Sequence, residues 1–322
     1  MGLLVEGKWR DEWYDTESSG GRFVRKDSAF RDRVSADGSS GFPAEAGRYH
    51  LYVSLACPWA HRTLILRKLK ALEAAISLSV VDPLMAEQGW AFGDASAGLA
   101  DTLNGARYLH EIYTKARSDY TGRVTVPVLW DKQRGTIVNN ESAELLRMFN
   151  SEFDAFGDAS VDYSPPELRD EIDAVNTRVY DDVNNGVYKC GFATTQEAYD
   201  EAFAVLFAAL DWMEERLGGQ RYLVGDRITE ADWRLFTTLV RFDAVYVGHF
   251  KCNLRRIGDY ANLSSYLREL YQVPGVADTV DFPHIKQHYY RSHATINPTW
   301  VVPLGPELNL AAPHDRAAAF SP

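Results

Sequence analysis

Three groups of residues in this chain carry chemistry: a cysteine at a strand-to-helix turn, polar residues at a later helix start, and a few tyrosines. The cysteine lies in Ser54-Leu55-Ala56-Cys57-Pro58-Trp59-Ala60-His61-Arg62. Pro58 suits the first helical position, where no N–H partner is needed. The free N–H groups and dipole of a helix start stabilise a thiolate, so Cys57 reads as a reactive cysteine with a lowered thiol pKa. The competing reading is a small, inert core side chain. A two-thiol redox site needs a second cysteine three residues on, and that position is Ala60. A single-thiol mechanism therefore needs an external thiol to resolve it. His61, four residues after Cys57, shares its helix face. It either depresses the thiol pKa as a cation or hydrogen-bonds at a packing interface.

The elements that must hold these groups follow from periodicity. Residues 49–54 read as a strand, 58–72 as a helix and 76–81 as a second strand. Residues 82–122 form a long irregular stretch, and an insertion of that length is more often functional than idle. Residues 123–131 read as a strand with Pro127 inside it, so its backbone is expected to be special, a cis bond being one option. A short strand at 136–138 leads through Asn139-Asn140 to a helix beginning near Glu141-Ser142. The order is βαβ, insertion, ββα. From about 165 the texture is helical, with helices at 165–187, 195–217 and 259–271. Thr229 and Asp232 form a reciprocal capping pair for a further helix. The last 40 residues, rich in Pro, His and Tyr, read as an irregular tail.

Composition narrows the partners. With 322 residues, 46% of them apolar, the chain can bury a substantial core and suggests two domains. A net charge of −11 argues against a broad nucleic-acid-binding face. No run reaches the roughly 18 apolar residues of a membrane span, and no signal peptide is evident. Three cysteines, Cys57, Cys190 and Cys252, cannot all pair, and a reducing cytoplasm is the simplest setting. His284, His288 and His293 lack the acidic or cysteine partners of a metal set, so no metal is expected. Glutathione is the abundant external thiol for Cys57. A transferase that conjugates glutathione ordinarily activates it through a Ser or Tyr hydroxyl, so a cysteine here favours its removal.

A strand–cysteine–helix start, a proline in a later strand and an all-helical second half resemble the glutathione transferase superfamily. Six words narrow the resemblance: Ser54 to Arg62, Val124 to Trp130, Asn139 to Ser142, Asn184 to Ala193, Arg241 to Tyr246, and His288 to His293. Together, and in order over nearly the whole chain, they resemble the glutathionyl-hydroquinone reductases, the xi class. The resemblance implies a thioredoxin-like α/β domain at 45–150 after an extension at 1–44. It also implies an all-α domain at 165–285 and a wrapping tail at 286–322. It implies that Cys57 attacks the sulfur of a glutathionyl-hydroquinone, forms a mixed disulfide, and is freed by a second glutathione acting as co-substrate. Trp90, Arg123, the backbone of Val126, Glu141 and Ser142 match glutathione-binding positions. Tyr188 and Tyr289 match tyrosines that contact the quinol oxygens, with Tyr180 and Tyr290 as second choices. Cys190 departs from the expected small apolar residue and adds a thiol near the presumed pocket. A cytoplasmic homodimer is expected. The alternatives are an omega-like deglutathionylase or dehydroascorbate reductase, and a non-catalytic binding module of the same fold.

Overall fold

A computed structural model describes residues 2–320. Its central sheet contains β3 (Tyr49–Val53), β4 (Ile76–Val80), β8 (Val128–Asp131) and β9 (Thr136–Asn139). They lie in the order β4-β3-β8-β9. β3 runs parallel to β4 and antiparallel to β8, and β8 pairs antiparallel with β9. All of β3 is buried, as a central strand covered on both faces must be. His50 survives there because its two ring nitrogens meet the Ser77 and Ser79 hydroxyls of β4 at 2.8 and 2.9 Å.

Helix α1 (Pro58–Leu69) connects β3 to β4, and residues Pro58 to Leu66 are all buried. Such a helix is enclosed on every side. It packs against α3 (Ser142–Arg147) and α7 (Glu230–Arg241), which brings the sheet-based and helical parts together. The extended stretch read as 123–131 divides. β7 (Gly122–Arg123) belongs to another sheet, a cis Val126–Pro127 bond follows, and β8 starts at Val128. Proline has no ladder donor, so the ladder begins after it.

β1 (Leu3–Val5) pairs with both β2 (Lys8–Arg10) and β7, which ties the extension to the strand ahead of Pro127. Glu6 and Gly7 make the β1–β2 turn with positive φ, as a two-residue hairpin demands. A Cβ on Gly7 would stand 2.0 Å from the Ser118 carbonyl oxygen. The stretch 82–122, expected to be irregular, holds a short hairpin of β5 (Met85–Ala86) and β6 (Gly89–Trp90) and the helix α2 (Leu109–Ala116).

The helix expected over 165–187 is segmented. α4 (Arg169–Arg178) widens into a π-helical turn at Val179–Asn184 and resumes as α5 (Gly186–Gly191). Next come α6 (Gln196–Gly219), α7 and α8 (Ala261–Tyr271). The Thr229–Asp232 capping box is present as expected. The buried Asp232 carboxylate accepts from the Thr229 and Leu223 N–H groups and from the Tyr266 hydroxyl. The stretch expected as an irregular tail opens instead with a helix, α9 (Phe282–Ser292), capped by Asp281 through the His284 N–H at 2.8 Å. A short helix α10 (Arg316–Ala319) lies near the end.

Candidate active site

Cys57 is the N-cap of α1. Its sulfur accepts from the Ala60 N–H and donates to the Val126 carbonyl oxygen, each at 3.5 Å. The preceding turn is held from the helical side. Arg241, fully buried near the end of α7, donates to the carbonyls of Leu55 and Ala56 at 2.8 Å, and to Thr237 of its own helix. A guanidinium with its donors fixed on carbonyls is a rigid clamp.

That clamp settles the role of His61. Arg241 can only donate, so its 2.9 Å contact makes His61 Nδ1 the acceptor and puts the ring proton on Nε2, toward Thr279 Oγ1 at 2.8 Å. Burial, and then Arg241, hold the ring well below its ordinary pKa. His61 is neutral packing between the two parts of the molecule, so it does not act on the thiol as a cation. The lowered thiol pKa expected from the helix start also needs correction. Burial is the largest influence on Cys57 and pushes its thiol up. The Ala60 N–H, Arg241, the Trp59 N–H and Arg25 pull the other way.

The thiol is half-buried and opens on a cavity of about 380 Å³. Trp90, Arg123, Val126, Glu141, Ser142, Tyr188 and Tyr289 all line it, so the residues singled out from sequence converge on one space. Trp90, on β6, stacks on His288 of α9 with ring centroids 4.7 Å apart. Arg123 lies 4.3 Å from the Tyr14 ring and donates to the Glu12 and Trp13 carbonyls. Glu141 caps α3 through the Ala143 N–H and accepts from Ser28 Oγ. Ser142 Oγ takes a donor from the buried Arg62, which also reaches Asn184 on the π-helical turn.

In the same cavity the Tyr188 and Tyr289 hydroxyls are 2.5 Å apart, and Tyr289 meets the Tyr246 hydroxyl at 3.0 Å. Burial raises all three well above the ordinary phenol pKa, so they are neutral proton carriers. A middle hydroxyl has one proton to give. When the chain runs Tyr246 to Tyr289 to Tyr188, the Tyr188 proton is left for a ligand. Tyr180 also lines the cavity, whereas the Tyr290 hydroxyl points to the Ala244 carbonyl. Cys190 does not line it. That residue is buried, as is Cys252, whose thiol points to the Val187 and Phe250 carbonyls.

Sequence reasoning missed the contribution of the N-terminal extension. Tyr14, Phe23, Arg25 and Ser28 line the cavity. Phe23 packs against Tyr14 and Phe192 at 4.7 and 5.3 Å, closing an aromatic cage over Tyr188. Their stretch has no periodicity, and its only signal is aromatic and basic residues where a plain loop would be polar.

Residues 56–152 match the model of the glutathione S-transferase N-terminal domain, and residues 196–269 match that of the C-terminal domain. The chain is 58% identical to the glutathionyl-hydroquinone reductase YqjG of Escherichia coli K12, covering 99% of this chain and all of that one. The glutathione-bound structure of YqjG superposes with a TM-score of 0.91 at 55% identity, covering 99% of this chain and 100% of that one. Identity to the glutathionyl-hydroquinone reductase PcpF of Sphingobium chlorophenolicum is also 58%, over 95% of this chain and 96% of that one. A xi-class glutathione transferase from Natrialba magadii superposes with a TM-score of 0.92 at 51% identity, covering 99% and 97% of the two chains. A cysteine-capped helix facing a cis-proline turn, a tyrosine pair on the same cavity and full-length likeness to these relatives lead to one assignment: the chain belongs to the glutathionyl-hydroquinone reductases, the xi class of glutathione transferases.

Proposed function

We propose that this protein removes glutathione from glutathionyl-hydroquinones, using a second glutathione as co-substrate. One arrangement carries the reading: Cys57, with Ala60 in place of a partner thiol, opens on the same cavity as the Tyr188 and Tyr289 hydroxyls. The substrate's glutathionyl part takes the α3 side. Glu141 receives its ammonium, Ser142 and the N–H groups at the start of α3 receive the adjacent carboxylate, and Arg123 receives the glycyl carboxylate. The Val126 backbone pairs with the cysteinyl unit, and Trp90 forms a flat wall. The ring lies in the aromatic cage, which suits a quinol better than a peptide chain.

The Cys57 thiolate attacks the glutathionyl sulfur. A sulfur–sulfur bond forms, the sulfur–aryl bond breaks, and its electron pair passes into the ring. The carbon bearing sulfur has by then taken up a proton supplied through Tyr188 and replaced along the tyrosine chain while a ring hydroxyl gave up its own, so the pair restores the aromatic ring and emerges on that oxygen, which is then reprotonated. The hydroquinone leaves. A second glutathione thiolate then attacks the mixed disulfide, releases glutathione disulfide and restores Cys57. Overall, one thioether and one thiol become one hydroquinone and one disulfide. The same reading takes the protein to be a homodimer in the cytoplasm. The three unpaired cysteines fit a reducing compartment, and light scattering tests the dimer.

The test is steady-state turnover of glutathionyl-menadiol with free glutathione, following hydroquinone and glutathione disulfide together. Wild type is expected to form them one to one and Cys57→Ala to form neither. An inactive wild type, or full activity in Cys57→Ala, overturns the reading.

A further inference from the structure

We propose that Arg25 is a substrate-binding residue that holds the hydroquinone oxygen carrying the negative charge as the sulfur–aryl bond breaks. This rests on the reductase reading above and adds a recognition element to the ring side of the cavity.

The geometry is specific. Arg25 lies on the cavity wall with its guanidinium carbon 3.8 Å from the Trp59 ring centroid and 5.5 Å from that of Tyr188. Its Nε donates to Asn185 Oδ1 at 3.0 Å, which fixes the plane of the group. Its two terminal amino groups have no acceptor, and the guanidinium no carboxylate partner, among the described residues. Beneath it, the Trp59 indole N–H is buried in the cavity wall and likewise has no acceptor among the described residues. Neighbouring cations are committed: Arg241 to carbonyls of the Cys57 turn, and Arg62 to Ser142 and Asn184. Arg25 is thus an oriented cation with donors to spare, on the wall of the cavity that Cys57 opens on and beside the Tyr188 ring.

The chemistry calls for such a group. When the ring carbon has been protonated and a ring hydroxyl has given up its proton, leaving a dienone, the electron pair released from the sulfur–carbon bond restores the aromatic ring and emerges on that oxygen as a phenolate. Tyr188 and Tyr289 are neutral donors and leave that charge uncompensated. A guanidinium forms charge-assisted hydrogen bonds to phenolate oxygen, about twice as strong as neutral ones. The stacked Trp59 holds the cation in place by its ring face.

The experiment uses glutathionyl-hydroquinones bearing a methoxy group, no further substituent, one chlorine or three chlorines, so that the leaving phenol becomes steadily more acidic. Arg25→Gln is expected to lower kcat/KM about 10- to 100-fold for the least acidic leaving group and much less for the trichloro compound, giving a steeper dependence on leaving-group acidity. Arg25→Lys, which keeps the charge, recovers most of the activity. Attack of glutathione on a preformed Cys57 mixed disulfide, where no ring is present, reads the influence of Arg25 on the Cys57 thiolate alone, and the steeper dependence on leaving-group acidity remains after each variant's rate is normalised to that step. Equal losses across the series, or none, would overturn the assignment while leaving the reductase reading intact. A wild type inactive on every compound would overturn both.

Discussion

The hydroxyl of Tyr289 sits between two others, and its removal is the sharpest single-atom change available. Tyr289→Phe keeps the ring and cuts the relay between Tyr246 and Tyr188. We expect kcat for glutathionyl-hydroquinone cleavage to fall about 100-fold while glutathione affinity, which the proposed reading assigns to other residues, stays unchanged. Stopped-flow release of hydroquinone and a glutathione titration by tryptophan fluorescence separate the two. Cys57 makes a second prediction at this scale. Its thiol is pushed up by burial, and only the thiolate attacks, so kcat/KM rises with pH through the neutral range and above. A pH profile flat from neutral to alkaline would contradict that. Cys57, and Glu141 with Ser142, were legible from their places at helix starts, whereas Trp90, Arg123, Val126, Tyr188 and Tyr289 were singled out only by the family resemblance. Arg25 and Tyr246 were not, since one lies in an aperiodic stretch and the other is one tyrosine among 17.

At the scale of elements, the site depends on α7 as much as on the sheet. Arg241 carries the β3–α1 turn on three carbonyl and ring contacts that span the two halves of the chain. Arg241→Met leaves those acceptors unpaired in the core. We expect a stability loss of about 3 kcal/mol in urea titrations and at least a tenfold fall in kcat from a loosened Cys57. At the other end of α7, Asp232→Ala removes an acceptor shared by two backbone N–H groups and a tyrosine, and should cost about 3 kcal/mol with little effect on the kcat of the folded fraction. Local signals explain what could be read here. The α1 start and the Thr229 box are written in adjacent residues. α9 was missed because His, Tyr and Pro are poor helix formers, although Asp281 followed by Pro283 and the His284 N–H is a helix start. The break after α4 has no local signal. It widens the helix where Asn184 must reach Arg62 and Thr238, a demand of tertiary packing.

For the whole molecule, buried histidines set the acid limit. Burial lowers His50, His249 and His284 to about 4 and His288 to about 3. An unfolded chain binds these protons near pH 6.5, and the folded one resists them until much lower. Stability is therefore fully present above about pH 6.5 and falls on acidification, by up to ~1.4 kcal/mol per pH unit for each histidine. Thermal melts from pH 7 to pH 4 should show a steep, cooperative loss; a melting temperature constant over that range would contradict it. The fold class was readable from the order of elements, but closure of the cavity was not. That closure brings residues near position 25 against residues near 188 and 289, and no local pattern encodes such separations. The most direct test of the central claim is the intact mass of the protein after one turnover with an equimolar glutathionyl-hydroquinone and no free glutathione. The account predicts one equivalent of hydroquinone released and one glutathione held by disulfide on Cys57. Hydroquinone release with no adduct, or an adduct carrying the aromatic ring, would contradict it.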